Sequence, residues 1–392
     1  MVKKRSKGIF LTLIMIFCLL RIEAQDIKIG LFHDQLVSAF TFHCLKGDYE
    51  VFTGEEKLLQ ISSGDIFFVS LKDNKIHLNN GIDSFGPFDA VSFFMKGENA
   101  KFRIKIVDPQ YDTRNYTGDL FLSLRYNLLQ LILRIGFDEY LAGVVETEGG
   151  PFAPIEYHKA QAVLCRTYAL KHWERHIDEG FNLCDDVHCQ AFKAVCERNP
   201  DIRKAVDATY KMVVTDKYSE LIIPAYHSNS GGETQRASDI WPTQPEYLQA
   251  IVDPFSKNQR NYTWEMNIPM EKWIEYLRSR NLIVEDAEIS ELLIKQEHRK
   301  ADFVFRDDTL SMAEIRNDMG FKSSFFNMRL NGNNIIVNGR GYGHGIGMSQ
   351  EGAMQMAREG YDYSDILRFY FFDVMIKNLD AIPQKLVPDE FK

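Results

Sequence analysis

The sequence predicts a mixed α+β fold, with a β-rich N-terminal region packed on an α/β domain that carries a cleft. Three observations point to it. Between Asp26 and about Leu133, short runs rich in β-branched and aromatic residues are punctuated by Gly, Asn and Asp, the pattern of short strands joined by turns. From Pro154 the spacing becomes helical through an alanine-rich stretch. Nearer the C-terminus, GRGYGHGIGMS alternates glycine with larger residues ahead of a helix over Gln350 to Arg358, which Ser349 caps and Gly360 follows.

Lys3, Lys4, Arg5 and Lys7 precede an apolar run from Ile9 to Leu20, and Ala24 supplies a small residue for cleavage. This is the pattern of a secretory signal peptide over residues 1–24, and it predicts an exported protein of the periplasm or cell wall. The run is short for a bilayer span, and Cys18 lacks the small residues that precede a lipidated cysteine. Loss of the segment's five basic residues and one acidic residue takes the formal charge from −9 to −13. An acidic chain argues against nucleic-acid partners and anionic membrane surfaces, and leaves a largely neutral glycan open. With 45% hydrophobic residues there is material for two or three packed units.

Residues 25–115 form the β-rich region, with strands expected at IKIGLF, FFVSL, KIHL, AVSFFM, FRIKIV and LFLSL. No Pro- or Ser-rich hinge follows, so residues 116–392 continue from it without a flexible linker, with an insert at about 260–330. Phe137 to Val145 alternate poorly, and Gly149, Gly150, Pro151 and Pro154 interrupt regular structure. Glu146 and Glu148 therefore sit on a turn just before the long helix, where a side chain can face a cleft. Ala162, Cys165, Ala169, Trp173 and Ile177 form that helix's apolar stripe. Helices are also expected over Asp201 to Met212 and Met270 to Arg280, and strands within Val213 to Ala225.

The chemistry narrows by exclusion. No H-E-x-x-H and no G-x-S-x-G occurs, and the glycine-alternating stretch fits no phosphate-binding template, so no nucleotide is expected. Cys165 falls on an apolar stripe, where thiols are inert. Carboxylate chemistry remains. Cys184, His188 and Cys189 lie within six residues, with His176 upstream. This group reads as a zinc site, a disulfide or free thiols, in a chain whose processed form holds an odd number of cysteines.

Gly143-Val-Val, Glu148, Lys159-Ala-Gln-Ala and Arg166-Thr-Tyr-Ala resemble the central motif of the SpoIID/LytB family. Two further blocks, Ala225 to Ser256 and Gly339 to Ala357, resemble the same family in the same order. One departure stands out: the Met-Pro that usually follows the family's glutamate is Gly149-Gly150 here, which predicts a more flexible turn. The resemblance implies that residues 116–392 are the catalytic domain of a peptidoglycan lytic transglycosylase. Glu148 would be its acid/base, with the substrate's own 6-hydroxyl as nucleophile and 1,6-anhydro ends as products. It implies substrate-binding roles for Arg166, Gln161, His227, Ser228, Ser230, Gly231, Gly232, His344, Ser349 and Gln350, with Arg166 on the carboxylate of muramic acid. It also implies the alternative, a wall-binding modifier of a cell-wall amidase without turnover. Glu146 is the next candidate acid, and Glu233 or Asp239 would be the second carboxylate of a hydrolytic mechanism. No cofactor is required by this chemistry. Zinc is the one candidate, held by Cys184 and Cys189 with His176 or His188, with one position left open.

Overall fold

Alternating apolar residues build the first half of the chain into one sheet. The computed structural model describes residues 25–282, 284 and 287–391, so the signal peptide expected over 1–24 lies outside the described residues. The strands are β1 (Asp26–Leu31), β2 (Ala39–Thr53), β3 (Glu56–Ser62), β4 (Ile66–Lys72), β5 (Lys75–Asn79), β6 (Ser84–Phe88), β7 (Val91–Asp108), β8 (Arg114–Tyr116), β9 (Asp119–Arg125), β10 (Leu128–Gly136) and β11 (Leu183–Cys184). Their order is β11-β1-β10-β9-β7-β2-β4-β5-β6, with β3 beside β2 and β8 beside β7. Pairing is antiparallel apart from β1 with β11. Every second residue of β10 is buried, as expected for a sheet with one face on a core. The runs AVSFFM and FRIKIV join into the single long strand β7. Its partner β2 hides its alternation behind Lys46-Gly47-Asp48, which reads as a turn.

Strand β10 runs straight into helix α1 (Phe137–Gly149), which is followed by α2 (Ile155–Lys171), α3 (Pro200–Ala208), α4 (Met270–Ser279), α5 (Met312–Met319), α6 (Gln350–Arg358) and α7 (Tyr363–Tyr370). Glu146 and Glu148 thus lie in the last turns of a helix rather than on a turn ahead of one. The apolar pattern of α1 lacks a period because Phe137, Tyr140, Leu141, Ala142, Val144 and Val145 are all buried, leaving no polar face over most of its length. The stripe on α2 ends at Trp173, since the helix stops at Lys171 and Ile177 is exposed in a later turn.

Helix α2 carries the architecture. Ala162, Cys165 and Ala169 pack with the sheet and α1 in one core, while Tyr157, Ala160, Val163 and Leu164 belong to a second core with α6, α7 and the chain around Ile346 and Met348. Small residues at these positions let elements approach from both sides. A third core, from Trp264 to Val337, holds α4, α5 and a three-stranded sheet together. The 225–235 and 339–349 segments cross each other at close range. A Cβ on Gly341 would stand 2.6 Å from the Asn229 carbonyl oxygen, and one on Gly343 would stand 2.8 Å from the His227 Cβ. Gly341 also has φ +81°, a conformation only glycine adopts readily. Gly341→Ala is therefore expected to lower the unfolding free energy by about 1–3 kcal/mol in chemical denaturation. The control Gly136→Ala has open space at its Cβ and should change it by less than about 0.5 kcal/mol.

Candidate active site

The candidate groove is the junction of the C-terminal turn of α1, the start of α6 and the short strand Tyr226–His227, where Gln350 meets the Glu148 carbonyl and Tyr226–His227 pairs with Met348–Ser349. Glu148 is half-buried there. Its Oε1 accepts from the Ala191 backbone N–H at 2.9 Å, and the Tyr226 hydroxyl hydrogen-bonds the carboxylate. Burial pushes its pKa above the ordinary 4.5, against the opposing pull of the Ala191 N–H, the Tyr226 hydroxyl and the Lys193 ammonium. Its place at the C-terminal end of α1 works in the same direction, since that end of the helix dipole disfavours a negative charge. No carboxylate is among the groups that shift Glu148 among the described residues.

Glu146, the next candidate, faces away and is fully engaged. Its carboxylate accepts from the backbone N–H groups of Glu197, Arg198 and Asn199, the Cys196 thiol and the Arg198 guanidinium. Burial raises its pKa, but the Arg198 and Cys196 side chains and these N–H groups outweigh that and leave it below the ordinary value. It is a buried anchor for the chain leading into α3. Cys165 is likewise inert, its thiol fully buried and pushed up to about 12 by burial.

The residues expected to bind substrate divide in two. Gln350, Ser228 and His344 are half-exposed at the groove. Gln350 donates from Nε2 to the Glu148 carbonyl at 3.1 Å, and Ser228 accepts at Oγ from Asn261 at 3.1 Å. His344 donates from Nε2 to the Tyr226 carbonyl at 3.1 Å and accepts at Nδ1 from the Ile346 N–H, so its ring is neutral and burial pushes its pKa down to about 4. It holds the backbone of Tyr226 in place. The others are corrected by their burial. Gln161 is fully buried between Tyr157 and Cys165. His227 binds the Ile346 carbonyl, Ser230 donates to Asp253 at 2.7 Å, and Ser349 caps α6 at Gly352 while accepting from the Ser230 N–H. Gly231 packs on the Arg340 backbone, and the Gly232 N–H donates to Ser256 at 3.0 Å. Most polar groups of these loops are thus engaged within the protein, while His227 Nε2 is buried without a partner.

Arg166 is the largest departure. It is 2% exposed, and its guanidinium donates to the carbonyls of Thr209 (2.8 Å), Met212 (3.2 Å) and Val206 (3.3 Å), with Asp138 at 3.8 Å. It ties α2 to the end of α3 and does not enter the groove. The second carboxylates considered are also occupied elsewhere: Glu233 pairs with His298 at 3.2 Å, and Asp239 accepts from Gln235. Sequence reasoning missed Tyr226 and the Ala191 N–H. Tyr226 is the second residue of the Ala225 to Ser256 block, but nothing in its spacing aims it at Glu148, and a backbone donor has no sequence signal.

Ahead of Ala191, the donor atoms of His176, Cys184, His188 and Cys189 lie within 4.8 Å of one another. Cys189 Sγ is 3.5 Å from His176 Nε2 and 3.8 Å from His188 Nδ1, and Cys184 Sγ is 3.7 Å from the same Nδ1. Glu179 holds His176 Nδ1 at 2.7 Å and so turns Nε2 toward the thiols. The cysteines stand as free thiols.

The fold is mixed α+β, and Glu148 is its half-buried, helix-borne acid with a raised pKa. Residues 125–215 match the family described as SpoIID, Stage II sporulation protein. The chain is 27% identical over 272 residues to Stage II sporulation protein D of Bacillus subtilis (strain 168), covering 65% of this chain and 78% of that protein. It is 28% identical over 283 residues to an uncharacterized protein of Brachyspira hyodysenteriae (strain ATCC 49526 / WA1), covering 70% and 75%. It is 27% identical over 285 residues to the Amidase enhancer of Bacillus subtilis (strain 168), covering 59% of this chain but 39% of that protein. The chain is thus similar to the SpoIID family over residues 125–215 and to Stage II sporulation protein D over about two thirds of its length.

Arg166→Lys keeps the charge but loses the fork that serves three carbonyls. It is expected to lower the unfolding free energy by about 1–3 kcal/mol in urea while leaving glycan binding unchanged. A wild-type unfolding curve with lost glycan binding would return Arg166 to the substrate.

Proposed function

We propose that the chain is an exported lytic transglycosylase that cleaves the glycosidic bond between N-acetylmuramic acid and N-acetylglucosamine in peptide-stripped glycan strands. One observation supports the reading: Glu148 is half-buried, with its Oε1 on the Ala191 N–H and its pKa raised by burial. A hydrolase of the ordinary kind employs two carboxyl groups, either about 5–5.5 Å or about 6.5–9.5 Å apart. A single acid suffices when the substrate supplies its own nucleophile. Protonated Glu148 gives its proton to the glycosidic oxygen as the bond to the anomeric carbon breaks. The muramic acid 6-hydroxyl then bonds to that carbon and returns its proton to Glu148. Between the two transfers the carboxylate is held by the Ala191 N–H and the Tyr226 hydroxyl.

The cysteine and histidine cluster fits zinc, and we propose that His176, Cys184, His188 and Cys189 hold it. The measured edges of 3.5–3.8 Å suit a tetrahedron of two thiolates and two imidazoles. Four protein ligands leave no open position, unlike the three-ligand site expected from the sequence. The ion would supply a cross-link that braces the chain two residues ahead of Ala191, whose N–H meets Glu148. Protein purified without added zinc should carry about one zinc per chain, and a chelator should lower its melting temperature. Absence of metal together with two fewer free thiols than the five of the processed chain would mean a disulfide instead.

The likeness to a protein named Amidase enhancer favours a second reading, in which the groove binds glycan and a cell-wall amidase is stimulated without cleavage. Glu148→Gln separates the two. The variant should lose at least ~100-fold in the rate of cleaving peptide-free glycan. Cleavage by the wild type should fall as pH rises through a value above 4.5, because the raised pKa keeps the acid form to higher pH. For stability the sign is the reverse of a salt-bridged acid. A folded pKa above the unfolded one gives stability that is full at low pH and lost as pH rises through the folded value. At neutral pH Glu148→Gln should therefore melt no lower than wild type. Undiminished cleavage by the folded variant would remove Glu148 from this role.

A further inference from the structure

The glycine pair after Glu148 is held more firmly than its composition suggests. A helix leaves its last carbonyls without partners inside the helix, and a Gly-Gly sequence after them has the most backbone freedom to lose. Here the carbonyls around the acid are met by side chains from three distant segments. Gln350 Nε2, from α6, donates to the Glu148 carbonyl at 3.1 Å. His158 Nε2, from α2, donates to the Gly150 carbonyl at 3.1 Å. Asn199 Nδ2, at the N-cap of α3, donates to the Pro151 carbonyl at 2.5 Å.

The orientation of each donor is fixed by its surroundings. His158 is fully buried and its Nδ1 has no partner, so the proton sits on Nε2, and burial pushes the pKa of the ring down. Asn199 accepts at Oδ1 from the Asp201 N–H at 2.9 Å, which leaves its amide nitrogen facing Pro151. The glycines are what admit this arrangement. A Cβ on Gly149 would stand 2.7 Å from the Tyr157 hydroxyl, and Gly150 has φ +75°. Where the family's usual wording stiffens the turn with Met-Pro, this chain removes the side chains and fixes the backbone from outside.

We propose that His158, Asn199 and Gln350 are positioning residues for Glu148, which set where its carboxylate lies by holding the backbone on either side of the Gly149-Gly150 link. The proposal rests on the reading of Glu148 as the acid. A displacement of about 1 Å at a catalytic group costs up to ~100-fold in rate, so loss of one donor is expected to lower kcat by about 10- to 100-fold. For His158 and Asn199 KM should stay within about twofold, because neither is asked to touch substrate.

The test compares His158→Phe and Asn199→Asp, which remove the donors while keeping ring shape and helix cap respectively, with His158→Gln, which keeps a donor at the Nε2 position. Two readouts are taken on the full chain: kcat and KM on peptide-free glycan, and amide hydrogen exchange over residues 147–152. The expected result is lower kcat at constant KM and faster exchange in the donor-less variants, with both recovered in His158→Gln. Unchanged kcat in folded His158→Phe and Asn199→Asp overturns the proposal, as does a rise in KM alone or an equal loss in His158→Gln. If the wild type cleaves no peptide-free glycan, it is the acid reading that fails. Exchange then decides the hold on the turn by itself: faster exchange supports it and unchanged exchange overturns it.

Discussion

Helix α2 has a hydrophobic core on each side, and that double burial fixes the position of everything in the groove. Its small residues Ala162, Cys165 and Ala169 accept the sheet and α1 from one direction, while Tyr157, Ala160, Val163 and Leu164 receive α6, α7 and the Ile346–Met348 chain from the other. The C-terminal turn of α1 and the N-terminal turn of α6 are thereby set against each other, close enough for Gln350 to bind the Glu148 carbonyl. A larger side chain on either face of α2 would part them, because packed interiors do not absorb extra volume without shifting. Arg166 belongs to the same frame. Its guanidinium fastens α2 to the end of α3, whose N-cap Asn199 reaches back to the turn after Glu148.

Within this frame Glu148 and Glu146 differ because of where the chain's donors fall. Two residues apart on one helix, they point to different surroundings. Glu146 gathers three backbone N–H groups, a thiol and a guanidinium and is locked as an anion. Glu148 has one backbone N–H and one phenol against a burial that raises its pKa. A carboxyl group that serves first as acid and then as base needs the second kind of environment, with enough desolvation to hold a proton and few enough donors to release it reversibly. The 176–191 chain contributes by delivering the Ala191 N–H, directly after the cluster of two thiols and two imidazoles.

The sequence made the strands and α2 legible because their burial is one-sided or their spacing regular, as in the alternation along β10. It concealed α1 for the opposite reason. A helix buried nearly all round shows no period, so the acid was read onto a turn before α2 instead of onto the last turn of α1. Glu148 was singled out through its motif, and the structure places it half-buried at the end of α1. The close passage of the glycine-alternating segment, where Gly341 and Gly343 leave no room for a Cβ, was legible. The partners were not. Ser230, Ser349 and His227 look in sequence like groups for sugar hydroxyls, yet they are buried, and Ser230 bonds Asp253, Ser349 the Ser230 N–H, and His227 Nδ1 the Ile346 carbonyl. Arg166 looks in sequence like a group for the substrate's carboxylate, but the carbonyls that claim it lie forty or more residues away in the chain, and no local pattern marks them. Tyr226 and the Ala191 N–H come to Glu148 by tertiary packing alone.

The central claim is that one carboxylic acid works with the substrate's own hydroxyl and without water. Digestion of peptide-stripped peptidoglycan in water enriched in heavy oxygen, followed by mass spectrometry of the products, tests it most directly. The account predicts 1,6-anhydro ends, one water lighter than hydrolytic products and free of label. Label at a new reducing end would contradict it, since water would then be the nucleophile and a second carboxylate would have to activate it.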